Sequence, residues 1–168
     1  MVEIIAVISS LLCVYLTAKK NNLCWPIGII GVLGYMWIFY QGHQYANIFL
    51  QFVFLGQSLF AWWKWNTNDI ILPSVNEKVF GILIFVFGLF LYIIGIGILD
   101  MTTTLLSLMG MYLLAYKKYK AWYYWITADV LYILMFAIGG QLLPMFNYII
   151  FLGLATWGLI KWRKEDVI

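Results

Sequence analysis

Asp129 stands inside the run 122–138, which is dominated by apolar and aromatic residues. A carboxyl group in such a run is costly to bury unless it is paired, and by default it marks a solute or ion pathway. At about 100° per residue, Trp122, Trp125, Asp129, Tyr132 and Phe136 share one helical face. In the run 45–63 and just beyond it, Asn47, Gln51, Ser58, Trp62 and Trp65 fall within about 40° of one line, while Gln57 lies elsewhere. Asn147 and Tyr148 sit together in the run 142–160, and Thr103, Ser107 and Gly110 form a small-residue edge in the run 101–116. Aromatic rings offer stacking area, and amides offer directional hydrogen bonds that fix orientation. A single carboxylate can hold a cationic ring or bridge ribose hydroxyls. The chemistry these residues favour is reversible binding of a ring-bearing solute.

Bond-making chemistry finds no such set. The sequence has no Ser-His-Asp arrangement and no phosphate-binding glycine loop. Its one histidine is His43, and its two cysteines, Cys13 and Cys24, have no Cys-x-x-Cys spacing. No enzyme activity, cofactor or metal is expected. Each candidate also has a plainer role. Asp129 can accept bonds from Trp or Tyr and hold helices together. Asn47 and Gln51 can bridge helices, each bond contributing about 0.6 kcal/mol. Trp65 reads as an interfacial anchor, and Trp62, one turn deeper, as facing a cavity. The 102–104 threonine run and Ser107 read as packing and cap residues. Gly28, Gly31 and Gly34, three residues apart, read as a face for close helix approach.

The elements that must carry these residues follow from composition. Of 168 residues, 65% are hydrophobic, 20% aromatic and 10% charged, with a mean hydropathy of +0.93. A soluble domain of this size cannot bury so much apolar surface, and a disordered chain would be far more polar. The pattern is that of an all-α membrane protein lying in a lipid bilayer. Apolar runs at 4–18, 23–40, 45–63, 79–99, 101–116, 122–138 and 142–160 predict seven transmembrane helices. The stretch 66–78, with Pro73, is the one long linker. The first run has no basic n-region and no clear cleavage site, so it is read as a retained helix.

Charge orients these spans. Alternate loops place Lys19, Lys20, Lys64, Lys78, Lys117, Lys118, Lys120, Lys161, Arg163 and Lys164 on one side, which is every Lys and Arg. Glu3, His43 and Asp100 fall on the other. The positive-inside rule makes the basic side cytoplasmic, with the N-terminus outside and the C-terminus inside. Opposite termini require an odd number of spans, which favours seven over six. Trp63, Trp65, Trp122 and Trp162 cluster near the cytoplasmic ends, where indoles favour the interface. The net charge of +3 is too small and scattered for nucleic acid.

The chain also matches itself. Residues 10–65 fall on 107–162 without a gap, with 18 identities in 56 positions. Apolar bias does not easily produce matched pairs such as Gly42/Gly139, Gln44/Gln141, Lys64/Lys161 and Trp65/Trp162. Spans 1–3 (residues 1–65) and 5–7 (residues 100–168) therefore read as two copies of a three-helix unit. Linker and central helix, 66–99, lie between them. Three spans reverse direction, so one extra span restores it and makes the copies parallel: a 3+1+3, SWEET-like arrangement. Parallel repeats of this kind bind substrate near mid-membrane at the repeat interface.

These residues carry a resemblance. Trp25-Pro26-Ile27-Gly28-Ile29-Ile30-Gly31, Tyr45-Ala46-Asn47 with Gln51-Phe52, and Trp62-Trp63-Lys64-Trp65 resemble the first half of the PnuC family of bacterial vitamin transporters. Trp62-x-x-Trp65 matches that family's WxxW motif. Asp100, Thr102-Thr103, Leu106-Ser107-Leu108, then Trp122, Trp125 and Asp129-Val130 resemble the second half. The resemblance covers nearly the whole chain. It implies facilitated diffusion of nicotinamide riboside across the bacterial inner membrane, with thiamine and riboflavin among the solutes of relatives. It also implies a homotrimer and trapping by a cytoplasmic kinase that acts downstream without stable binding. Substrate contacts are then expected from Asn47, Gln51, Trp62, Trp122, Asp129, Asn147 and Tyr148, and gating or motif roles from Trp65, Ser58 and Tyr132. Departures bear on which vitamin is carried: Gly110-Met111-Tyr112 replaces an Ala-Gln-aromatic step, Lys120-Ala121-Trp122 a Glu-Asn-Trp, and Pro144-Met145 a small-residue pair. Two other readings are a proton-coupled transporter using Asp129 and a membrane scaffold with no solute path.

Overall fold

A computed structural model describes residues 1–43, 45–67, 76–93, 95 and 97–165, without the side chains of 45 and 46. It has seven helices and, among the described residues, no strand: α1 (Val2–Ala18), α2 (Cys24–Gln41), α3 (Tyr45–Asn66), α4 (Glu77–Ile93), α5 (Ile98–Ala115), α6 (Ala121–Ile138) and α7 (Leu142–Glu165). Four of them, α2, α5, α6 and α7, are long and apolar enough to cross a membrane, and α1 is a shorter apolar helix. The expected helix over 79–99 is corrected. α4 stops at Ile93, and Ile98, Leu99 and Asp100 already belong to α5. Glycine is the reason: Gly95 takes φ +87°, which helical backbone does not allow, and extended Gly97 caps α5. Asp100 then lies in the first turn of α5, where a carboxylate meets the positive end of the helix dipole. Gln44, the linker residues 68–75 with Pro73, and Ile94 and Ile96 lie outside the described residues.

The chain forms two compact units, Met1–Ile70 and Ile71–Ile168. In the first, α2 packs on both α1 and α3. The expected glycine face is the contact with α1. A Cβ on Gly28 would lie 2.8 Å from Cys13 Sγ, on Gly31 2.8 Å from Ser10 Oγ, and on Gly34 2.9 Å from Ala6 Cβ. Without side chains there, the two backbones approach and gain dispersion contact along their length. The Asn22 side-chain amide donates to Asn66 Oδ1, tying the α1–α2 turn to the end of α3.

In the second unit, α6 packs on both α5 and α7, and α4 packs on α5. α4 is held by a close stack of Phe80 on Tyr112 (3.8 Å between centroids, 17° between planes). Gly88 lies against Leu105, and Lys118 donates to Glu77 Oε1.

Helix ends recur at a spacing of 97 residues. α1 ends with Lys20 at φ 54° and α5 with Lys117 at φ 53°. In both, the last turn closes by a paired 6→1 and 5→2 bond pattern: Asn21 N–H to Leu16 O with Lys20 N–H to Thr17 O, and Lys118 N–H to Leu113 O with Lys117 N–H to Leu114 O. α2 and α6 end with His43 at φ 54° and Gly140 at φ 67°. Lys and His tolerate this left-handed position at about 1–2 kcal/mol each, offset by the carbonyls the turn satisfies.

Candidate functional site

The second unit brings several of the expected residues together. Asp129 is 4% exposed on α6 and has no hydrogen-bond or ion-pair partner among the described residues. One turn further along α6 lies half-buried Tyr132, and the buried small residues Thr103 and Ser107 belong to α5. Thr103 donates to the Leu99 carbonyl (3.0 Å), and Ser107 donates to the Thr103 carbonyl (2.8 Å). The small residues of α5 thus hydrogen-bond their own helix, as the packing reading expects. The Tyr132 ring lies under Tyr148 of α7 at 4.4 Å and 25°. Phe136 completes the stack, 5.5 Å from Tyr148 and 6.1 Å from Tyr132. Phe151, not among the sequence candidates, extends it 5.7 Å from Tyr148. Asn147 is half-buried beside Tyr148. The result is a ladder of near-parallel rings next to a buried carboxyl group.

Trp122 is placed differently. It is 1% exposed, its ring meets Trp162 edge to face at 5.4 Å and 85°, and it seats against Gly158. In the first unit Trp25 and Trp65 repeat this pair at 5.2 Å and 89°. Trp65, 6% exposed, and Trp162, 1% exposed, are therefore packed inside their units, which corrects the reading of Trp65, Trp122 and Trp162 as interfacial anchors. An indole buries its large surface better against another ring and a small residue than at a lipid headgroup. Trp63, 45% exposed, keeps the anchor position.

The expected stripe on α3 divides. Asn47 is exposed, Gln51 half-buried and Trp62 37% exposed, whereas Ser58 is 2% exposed and packed within the unit. Among the described residues, three indole Nε1 atoms, of Trp25, Trp122 and Trp125, are buried without a hydrogen-bond acceptor. Sequence reading missed the seat of Trp125. Its ring lies against Gly110, where a Cβ would stand 2.8 Å from Nε1. The signal was available in the repeat, where Gly110 and Trp125 correspond to Cys13 and Gly28. A mostly apolar groove of about 280 Å³ between α4, α5 and α6 is lined by residues including Ile84, Thr102, Leu105, Met109 and Tyr124 and includes none of the expected binding residues. Cys13 and Cys24 are free thiols, and among the described residues no three His, Cys, Asp or Glu side chains converge as a metal site would require.

Apolar helices that carry a buried carboxyl group beside stacked rings are features of the membrane transporter class. The sequence supplies the particular family: the family model for nicotinamide mononucleotide transporters matches residues 1–164, and the chain belongs to that family. The nicotinamide riboside transporter PnuC of Escherichia coli K12 is 21% identical, over 96% of this chain and 84% of its own length, and the protein of the same name from Shigella flexneri matches equally. A crystal structure of the vitamin B3 transporter PnuC superposes with a TM-score of 0.75 at 20% identity. It covers 97% of this chain and 80% of that one, and it shares the fold. The resemblance read from the motifs is borne out.

Proposed function

We propose that this chain carries nicotinamide riboside, or a closely related vitamin, across the bacterial inner membrane by facilitated diffusion. The observation that carries the reading is the ring ladder of Tyr132, Tyr148 and Phe136 beside the buried Asp129, which has no partner among the described residues. Nicotinamide riboside is a pyridinium joined to ribose. Aromatic faces attract a cationic ring through their quadrupole, and a carboxylate left unpaired in a low-dielectric site gains most from a cation that enters. Asn147 and Tyr148 add hydrogen-bonding groups on α7. Asn47, Gln51 and Trp62 would supply amides and an open indole from α3, and Trp65, Ser58 and Tyr132 would take gating or motif roles. Trp122 serves as a wall residue whose Nε1 awaits an acceptor.

The same reading takes residues 1–65 and 100–168 as parallel three-helix repeats, with 66–99 as linker and central helix in a 3+1+3, SWEET-like order. Support comes from matched details 97 residues apart: the Trp25–Trp65 and Trp122–Trp162 pairs, the Tyr35–Phe39 and Tyr132–Phe136 stacks, and the Lys20 and Lys117 turns. Rocking of one repeat against the other would give alternating access. The N-terminus lies outside and the C-terminus in the cytoplasm, the chain assembles as a homotrimer, and a cytoplasmic kinase traps the solute. Purified protein should exchange labelled nicotinamide riboside in liposomes and be thermally stabilised by it. Stabilisation by thiamine or riboflavin alone would change the vitamin and keep the class. Stabilisation by none would overturn the reading.

A further inference from the structure

We propose that Gly110 is a positioning residue for the solute site: by carrying no side chain it seats the Trp125 indole on α5, and so sets how that ring meets the solute. This rests on the reading that the Asp129 face of α6 takes a ring-bearing solute. A Cβ at position 110 would lie 2.8 Å from Nε1, 3.1 Å from Cδ1 and 3.2 Å from Cε2 of Trp125. All three atoms belong to the pyrrole ring of a rigid indole, so no flexible end can give way. Gly110 is buried and Trp125 half-buried, so the contact is fixed on the α5 side and open on the other. Trp125 lies four residues before Asp129, one turn along the same face.

The first unit solves the same contact in reverse. Ninety-seven residues earlier stand Cys13 and Gly28, and a Cβ on Gly28 would lie 2.8 Å from Cys13 Sγ. Each helix pair admits one side chain at this level, so one partner must be glycine. In the first unit α1 supplies a small thiol. In the second, α6 supplies a large ring with an N–H donor, and that donor is buried without an acceptor. Nε1 is on the side held against Gly110, so the part of the indole left open is the part turned away from α5. Pure helix packing would be served by either arrangement; only glycine on α5 presents an indole ring one turn from Asp129.

The test is a double-mutant cycle on the full chain in liposomes, read as the KM for nicotinamide riboside exchange and the melting temperature without ligand. Gly110→Ala should raise KM about tenfold or more at a temperature where the variant is still folded, alongside a fall in unliganded melting that reports the displaced ring. Gly153→Ala, where a Cβ meets no atom within 4 Å, should leave KM unchanged. Phe lacks the pyrrole atoms, so in a Trp125→Phe background adding Gly110→Ala should change KM less than about twofold. The proposal is overturned by a wild-type KM in Gly110→Ala, by an equal effect in both backgrounds, or by a loss that appears only as lowered melting. If Trp125→Phe itself carries nothing, Gly110→Ala alone decides: a raised KM measured well below that variant's own melting supports the proposal, and a wild-type KM there overturns it. A wild-type protein that binds none of nicotinamide riboside, thiamine or riboflavin overturns both readings. Vitamin binding with a neutral Gly110→Ala overturns this one alone.

Discussion

Asp129 is where the physical chemistry of single residues is most demanding. A carboxyl group 4% exposed in a membrane helix, with no partner among the described residues, destabilises the empty protein. Such a group persists when binding uses it. Asp129→Asn keeps the shape and removes the charge. Its empty form should melt at or above the wild-type temperature, because an uncompensated buried charge is gone. Its KM for nicotinamide riboside should rise about tenfold, equivalent to about 1.4 kcal/mol. Calorimetric melts and liposome exchange would check both. If wild-type vesicles also concentrate the vitamin under an imposed pH gradient, and Asp129→Asn does not, proton coupling replaces facilitated diffusion.

At the scale of elements, the second unit shows how a fourth helix is added to a three-helix contact. α4 buries little of its surface, since Ile82, Leu83, Phe85, Val86 and Phe90 are all exposed. Its tether at the basic end is the ion pair of Glu77 with Lys118, outside the expected span, with the two side chains 36% and 35% exposed. The hydrogen bond from Lys118 holds the Glu77 carboxyl below its ordinary 4.5, against a smaller opposing effect of burial. A carboxyl depressed in the folded state contributes stability above its unfolded value and loses it as pH falls through the folded value. The tether is therefore intact at neutral pH and is lost on the acid side, below about 4.5. Glu77→Gln should flatten the fall in melting temperature between pH 6 and pH 3.5 and, the pair being partly exposed, cost under about 1 kcal/mol at pH 7. An unchanged acid profile would remove the tether from the account of α4.

For the whole molecule, the distribution of charge is the informative quantity. Every Lys and Arg falls on one set of alternate loops. With Cys13 and Cys24 replaced by alanine, Glu3→Cys should react with an impermeant maleimide in intact cells. Arg163→Cys should react only after the membrane is opened. The reverse pattern would invert the proposed orientation.

The class, the number of helices and their order are legible in the chain. Burial in a bilayer imposes an apolar composition and runs of one length, and both are one-dimensional signals. The 97-residue self-match of the chain is legible for the same reason, as are the glycine face of α2 and the grouping of Asp129 and Tyr132 along α6. Helix ends at Gly95 were misplaced because an apolar run does not show where a backbone torsion changes sign. Tertiary structure decided which aromatic residues face what. Trp62, Trp65, Trp122 and Trp162 look alike in the sequence, yet Trp62 stays open while the other three are packed against rings, Gly158 among their seats. That choice depends on the partner across the helix contact, which is distant in the chain. It is the same reason that Gly110 acquires meaning only once Trp125 is seen resting on it.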